Sequence, residues 1–157
     1  MTTMTKKAPD FNLLDQDGTA RTLADYKGRW LVLYFYPNDK SLNCKREACY
    51  FRDEQKIIAQ FGDAAIVGIN KGSVQSHKRF VERNHLNFPI LSDPTHEVTE
   101  AYGAWRSSPV KWHDRPFATR RNTYLIDPKG NIAKEYIGVT PRGQVEMIIN
   151  DLQELQA

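Results

Sequence analysis

Cys44 and Cys49 are the two cysteines in 157 residues, and the first sits among groups able to handle a sulfur anion. The local sequence is Pro37-x-x-x-Ser41-x-x-Cys44-x-x-Glu47-x-Cys49. Thiolate, not thiol, is the nucleophile and the metal ligand in cysteine chemistry. Lys45 and Arg46 follow the cysteine directly. If Cys44 opens a helix, these cations oppose its dipole at a cost of a few tenths of a kcal/mol, roughly. A scaffold would prefer an acid there, as at Glu47, and local costs of this kind gather at functional sites. A second basic pair, Arg120-Arg121, lies far along the chain; neighbours on a strand face opposite ways, so one of the two can reach a shared site. Disulfide reductase chemistry uses Cys-x-x-Cys, and here Ser41 takes the first position.

The elements that position these residues are readable from apolar spacing. Residues 30–36 form a continuous apolar and aromatic run ended by Pro37, the pattern of a strand buried on both faces. A polar loop follows, and from Cys44 to Phe61 the spacing turns helical, with Ala48, Phe51, Ile58 and Phe61 on one face and Gly62 as a stop. Cys44 therefore stands where the loop after a central strand becomes a helix, beyond the strand's carboxyl end, where open α/β sheets bind ligands. Helix N-termini carry unpaired N–H groups and a partial positive charge, both favouring an anion.

Residues 64–70 predict a second buried strand, and Ser73 a cap for a helix to about Asn84. A short extended piece at 88–91 and a short helix over 97–102 come next. Asp-Gly in Asp15-Gln-Asp-Gly18 and the turn Asp127-Pro-Lys-Gly130 predict hairpins, the first joining 11–14 to 20–22 and the second 121–126 to 132–136. Val145, Ile148, Ile149, Leu152 and Leu155 mark an amphipathic C-terminal helix. Residues 103–119 are the one long irregular stretch; Trp105 and Trp112 either wall the site or pack that loop. The alternation predicts an α/β fold over 1–157 as one domain, with 1–7 a flexible N-terminus.

Composition narrows the function. A 157-residue chain can bury a core without staples. No apolar run approaches the ~20 residues that span a bilayer, and the N-terminus lacks the apolar stretch of a secretory signal, so the expectation is a cytoplasmic protein without a membrane partner. Cysteines in that compartment are kept reduced. A net charge of +3 with scattered basic residues and no nucleic-acid motif argues against nucleic-acid binding. His77, His85, His96 and His113 show no metal-ligand spacing, so neither a metal nor a cofactor is expected.

In its motif around Cys44 the chain resembles the peroxiredoxins, whose pattern is Pro-x-x-x-Thr/Ser-x-x-Cys, and within them the peroxiredoxin Q, or bacterioferritin comigratory protein, subfamily. The likeness runs through Ala8-Pro-Asp-Phe11, Tyr34-Phe-Tyr-Pro37, Glu47-Ala-Cys49, Phe51-Arg-Asp53, Leu91-Ser-Asp-Pro94, Ala101-Tyr-Gly103 and Leu125-Ile-Asp-Pro128, in the same order. It implies a thioredoxin-like fold, a central mixed β-sheet flanked by helices with an N-terminal β-hairpin. It implies a thiol peroxidase acting on hydrogen peroxide and alkyl hydroperoxides, recycled by a thioredoxin or glutaredoxin-like reductant, and a monomer. By the same likeness Cys44 attacks peroxide and becomes a sulfenic acid. Ser41 hydrogen-bonds thiolate and peroxide, Pro37 shields the sulfur, Arg121 holds thiolate and peroxide, and Cys49 resolves the sulfenic acid as a disulfide. Read without the likeness, Cys49 is either that thiol or a small apolar filler. The subfamily's Thr-Pro-Gly-Cys-Thr reads Ser41-Leu-Asn-Cys-Lys45 here, keeping the hydroxyl but losing the methyl that stiffens χ1. A disulfide oxidoreductase and a non-enzymatic holdase are the alternatives on the same fold.

Overall fold

A computed structural model describes residues 6–106, 118–138 and 140–156. Along the chain the strands are β1 (Lys6–Lys7), β2 (Asn12–Leu14), β3 (Ala20–Thr22), β4 (Leu31–Phe35), β5 (Ala65–Asn70), β6 (Ile90–Ser92), β7 (Trp105–Arg106), β8 (Ala118–Thr119), β9 (Asn122–Ile126) and β10 (Asn131–Ile137). The α-helices are α1 (Leu42–Ala59), α2 (Val74–Asn84), α3 (Glu97–Ala101) and α4 (Pro141–Leu155).

The apolar run at 30–36 becomes β4 because it can be buried on both faces. Val32 and Tyr34 join one core with Phe51 and Ile58 of α1, Phe80 of α2 and Val145, Ile148 and Leu152 of α4. Leu31, Leu33 and Phe35 join the other, with Phe11, Val67, Tyr102 and Tyr124. β4 is thus central in a mixed sheet of order β1-β10-β9-β4-β5-β6-β2-β3. It runs parallel to β5, with Leu33 opposite Val67, and antiparallel to β9, with Tyr34 opposite Thr123. The β2–β3 hairpin lies at one edge, as its Asp-Gly turn predicts, joined to the sheet through Leu14 and Ser92.

Four expectations need correction. The helix after β4 begins at Leu42, with Ser41 as its N-cap, rather than at Cys44. Lys6 and Lys7 are no loose tail, since they pair with Ile132 and Asn131 of β10; residues 1–5 lie outside the described residues. Residues 103–119 are not wholly irregular, because β7 and β8 pair antiparallel within them. Leu155 is exposed at the end of α4 while Val145, Ile148 and Leu152 are buried, since the last turn runs past the core.

Candidate active site

Cys44 is the third residue of α1, fully buried in the core cluster that includes Tyr34, Tyr36 and Ala48. Ser41 at the N-cap makes no side-chain capping bond, so its hydroxyl is not committed to the backbone. Instead Asn38 Oδ1 accepts from the Ser41 and Lys40 N–H groups at 2.7 and 2.9 Å, which folds the loop into α1. Pro37 is half-buried at the head of that loop, and Leu42 stands exposed at the first helical position.

Arg121 arrives from the other direction. The antiparallel pairing of β9 with β4 sets the start of β9 beside the carboxyl end of β4, where α1 begins. From there Arg121 Nη2 donates to Cys44 Sγ at 3.3 Å, and Nη1 donates to Glu47 Oε1 at 2.6 Å. Arg120 is exposed, with its backbone N–H bound to the Ala104 carbonyl at 2.6 Å. Behind Glu47 the chain of bonds continues. Gln144 Nε2 donates to Glu47 Oε2, and Thr123 Oγ1 donates to Gln144 Oε1 at 2.6 Å. Glu47, Gln144 and Thr123 are fully buried, so their bonds act in low dielectric, where fixed dipoles count most.

Burial pushes the Glu47 carboxyl up to about 7, against the pull of Arg121 and Gln144. Burial also works against the Arg121 charge, but Glu47 and Cys44 outweigh it and hold the guanidinium proton more tightly than usual. The result is a positive charge fixed beside the sulfur, oriented by a carboxylate that a second helix and the sheet hold in turn. A helix opening at Cys44 predicts residue 47 as a first-turn acid matched to the dipole; in the structure it instead lies in the second turn and points inward. Its spacing of three from Cys44, which puts both on one helix face, was the signal available. Gln144 and Thr123 left no comparable trace.

The raised carboxyl gives a testable pH dependence. The folded protein keeps the Glu47 proton to higher pH than the unfolded chain, so stability from this group is complete below about 4.5 and is lost as pH rises to about 7. Glu47→Gln removes that dependence. The stability difference between wild type and E47Q shifts against wild type by about 3 kcal/mol, as an order of magnitude, across that window. Urea midpoints of both proteins at pH 4.5, 6 and 8 check it, and parallel curves would refute it.

The other singled-out residues fall elsewhere. Cys49 is half-buried in α1, and both cysteines are free. Trp105 stacks on His96 with 4.1 Å between ring centres, and Lys71 Nζ lies 5.5 Å from its ring, so it packs its own surroundings. Trp112 and His113 lie outside the described residues. Among the described residues no three His, Cys, Asp or Glu side chains gather as a metal site, and no helix is long and apolar enough to cross a membrane.

Fold, cysteine helix and arginine together define a thiol-dependent peroxidase of thioredoxin-like architecture. The chain belongs to the AhpC/TSA family, whose model matches residues 4–135, and within it to the peroxiredoxins. It is 35% identical to peroxiredoxin Bcp of Bacillus subtilis over 150 residues, covering 96% of this chain and 94% of that one. Peroxidoxin BcpB of Mycobacterium tuberculosis superposes with a TM-score of 0.87 at 26% identity, over the full length of both. The bacterioferritin comigratory protein of Xanthomonas campestris, a protein with alkyl peroxide reduction activity, gives 0.87 at 25% identity over 94% of this chain and 92% of that one.

Proposed function

We propose that Cys44 is the peroxidatic cysteine of a two-cysteine peroxidase that reduces hydrogen peroxide and alkyl hydroperoxides, with Cys49 as its resolving thiol. The observation that carries this reading is the 3.3 Å bond from Arg121 to Cys44 Sγ in the first turn of α1. The Cys44 thiolate attacks one peroxide oxygen; an S–O bond forms, the O–O bond breaks, and the second oxygen leaves as alcohol or water after gaining a proton. Charge moves from sulfur toward the departing oxygen, so fixed donors along that path stabilise the transition state. Arg121 suits the task because its charge is permanent and its fork rigid. The Ser41 hydroxyl is the second donor, and Pro37 covers the sulfur at the loop's head.

The sulfenic acid on Cys44 is then attacked by the Cys49 thiolate. An S–S bond forms, the S–O bond breaks, and the departing hydroxide takes up the proton given up by the Cys49 thiol and leaves as water. A thioredoxin-type dithiol returns both cysteines to thiols and becomes a disulfide itself, with the enzyme acting as a monomer. In a regular helix, Cα atoms five apart are separated by about 8.7 Å, given about 1.5 Å of rise per residue and a radius of about 2.3 Å. Bridging without backbone movement stops near ~7 Å. Cys44 and Cys49 both lie in α1, so its first turns must melt before the disulfide closes. Melting also frees Cys44, which is buried, for the reductant.

The decisive assay is peroxide consumption coupled to a thioredoxin system, with insulin disulfide reduction as the contrasting activity. Cys49→Ser keeps one rapid turnover, read as one equivalent of peroxide consumed, and then stalls with thioredoxin. Equal steady-state rates for C49S and wild type would make Cys49 an apolar filler.

A further inference from the structure

The loop that delivers Cys44 is tied down at a second point, remote in sequence from Arg121. Asp39, two residues before the N-cap, turns its carboxylate into the protein, leaving the side chain 7% exposed. Three donors converge on it: Tyr36 Oη on Oδ1 at 2.6 Å, and Ser76 Oγ and His77 Nδ1 on Oδ2 at 2.6 and 2.7 Å. Burial works against this carboxylate, but the bonds from His77, Ser76 and Tyr36 outweigh it and hold the carboxyl below its usual range. A carboxylate only accepts, so the His77 Nδ1–H is the donor.

The partners are themselves fixed. Tyr36 directly follows β4 and stacks on Phe80 of α2, ring centres 5.7 Å apart. His77 is fully buried on α2, where Ser73 Oγ caps the helix by accepting from the Ser76 N–H. Gly72 leaves room for the pair, since a Cβ there would come within 3.0 Å of His77 Cε1 and 2.9 Å of Asn70 Oδ1. The Tyr36 ring packs in the same core cluster as Cys44, but none of these groups hydrogen-bonds the sulfur, which takes its bond from Arg121. The loop between Asp39 and the first residue of α1 is only Lys40 and Ser41, so motion of the helix start pulls on Asp39 directly.

We infer that Asp39, gripped by Tyr36, Ser76 and His77, is a latch that sets how readily the start of α1 melts, and so how the Cys44 sulfenic acid divides between disulfide and overoxidation. The inference rests on the resolving role proposed for Cys49. Melting of the first turns drags Asp39 from its donors and leaves buried Tyr36 and His77, and half-buried Ser76, without that partner, which opposes opening. While the latch holds, the sulfenic acid stays next to Arg121 and away from Cys49. In that interval a second peroxide can oxidise it to sulfinic acid, its sulfur gaining an oxygen as a further O–O bond breaks and alcohol or water leaves. Asp39, Ser76 and His77 are positioning residues.

The test uses the full chain with Asp39→Asn, which keeps the shape and removes the charge, and Ser76→Ala, which removes one donor and leaves His77 in place. Amide exchange is followed in the reduced proteins by mass spectrometry. In D39N, exchange over residues 38–46 accelerates about tenfold, the size of one lost charge-assisted bond, while β4 and β5 keep wild-type exchange. S76A moves the same way by less. After one equivalent of peroxide the Cys44–Cys49 disulfide closes about tenfold faster in D39N, and the peroxide concentration giving half sulfinic acid rises by about the same factor. Unchanged exchange at 38–46, or acceleration spread evenly over the whole chain, would overturn the latch. A wild-type protein that forms no Cys44–Cys49 disulfide would refute the resolving role of Cys49, and the exchange of the reduced proteins then judges the latch alone.

Discussion

Cys44→Ser reduces peroxide consumption to the level of protein-free buffer. The hydroxyl that replaces the thiol has a far higher pKa, so almost no nucleophile exists at neutral pH. The structure argues that this loss comes from chemistry and not from unfolding. Cys44 packs within the core beside Tyr34, Tyr36 and Ala48, and a serine there is smaller by little more than the difference between oxygen and sulfur. Its oxygen, moreover, is offered the Arg121 Nη2 donor that Cys44 Sγ now accepts, so the buried polar atom has a partner. Circular dichroism and urea midpoint of C44S therefore stay near wild type while turnover vanishes. Consumption by C44S at the wild-type rate would transfer the nucleophile to Cys49 and end the assignment.

How much of this was legible in the sequence depended on distance along the chain. The placement of Cys44 after a central strand needed only the unbroken apolar run at 30–36, its closing proline and the helical spacing beyond. The two-face burial of β4 follows from that run alone. What required pairing of distant segments was less accessible. Strand alternation predicts that one of Arg120 and Arg121 reaches the site, and the family resemblance points to Arg121; in the structure both lie between β8 and β9, outside either strand. What brings Arg121 to the site is the antiparallel register of β9 on β4, which no local pattern announces. A helix opening at Cys44 would place Glu47 in its first turn, where an acid suits the dipole. Ser41 before Leu42 is an ordinary N-cap signal, and starting the helix there would have put residue 47 in the second turn, beyond the reach of a dipole argument. Asp39 and His77, 38 residues apart, meet through the packing of α2 on the sheet, and neither type nor spacing of either residue hinted at it.

Arg121→Ala slows the attack on peroxide by about 30- to 1000-fold, the effect of removing one preorganised donor worth about 2–4 kcal/mol. Arg120→Ala leaves the rate near wild type, because that side chain is exposed and its bond to Ala104 uses the backbone. The loss in R121A has two sources that a single variant mixes. The guanidinium is withdrawn from the sulfur, and Glu47 is left buried without its cation, a defect that usually costs about 3–5 kcal/mol of stability. Here the second cost is softened, since burial already lifts the Glu47 carboxyl to about 7 and protonation relieves the charge. R121A is therefore least stable relative to wild type above that pH and recovers below it. Combining R121A with Glu47→Gln separates the sources, because a neutral amide needs no counter-charge. The double variant regains stability at pH 8 while its reaction with peroxide stays as slow as that of R121A. Arg121→Lys gives the intermediate case: an ammonium keeps a charge near the site but lacks the planar fork that serves Cys44 and Glu47 at once. Single-turnover rates of the four proteins under limiting peroxide, beside their urea midpoints, decide the matter. If the rate returned together with stability in the double variant, Arg121 would be a structural counter-ion to Glu47 and no partner in the transition state.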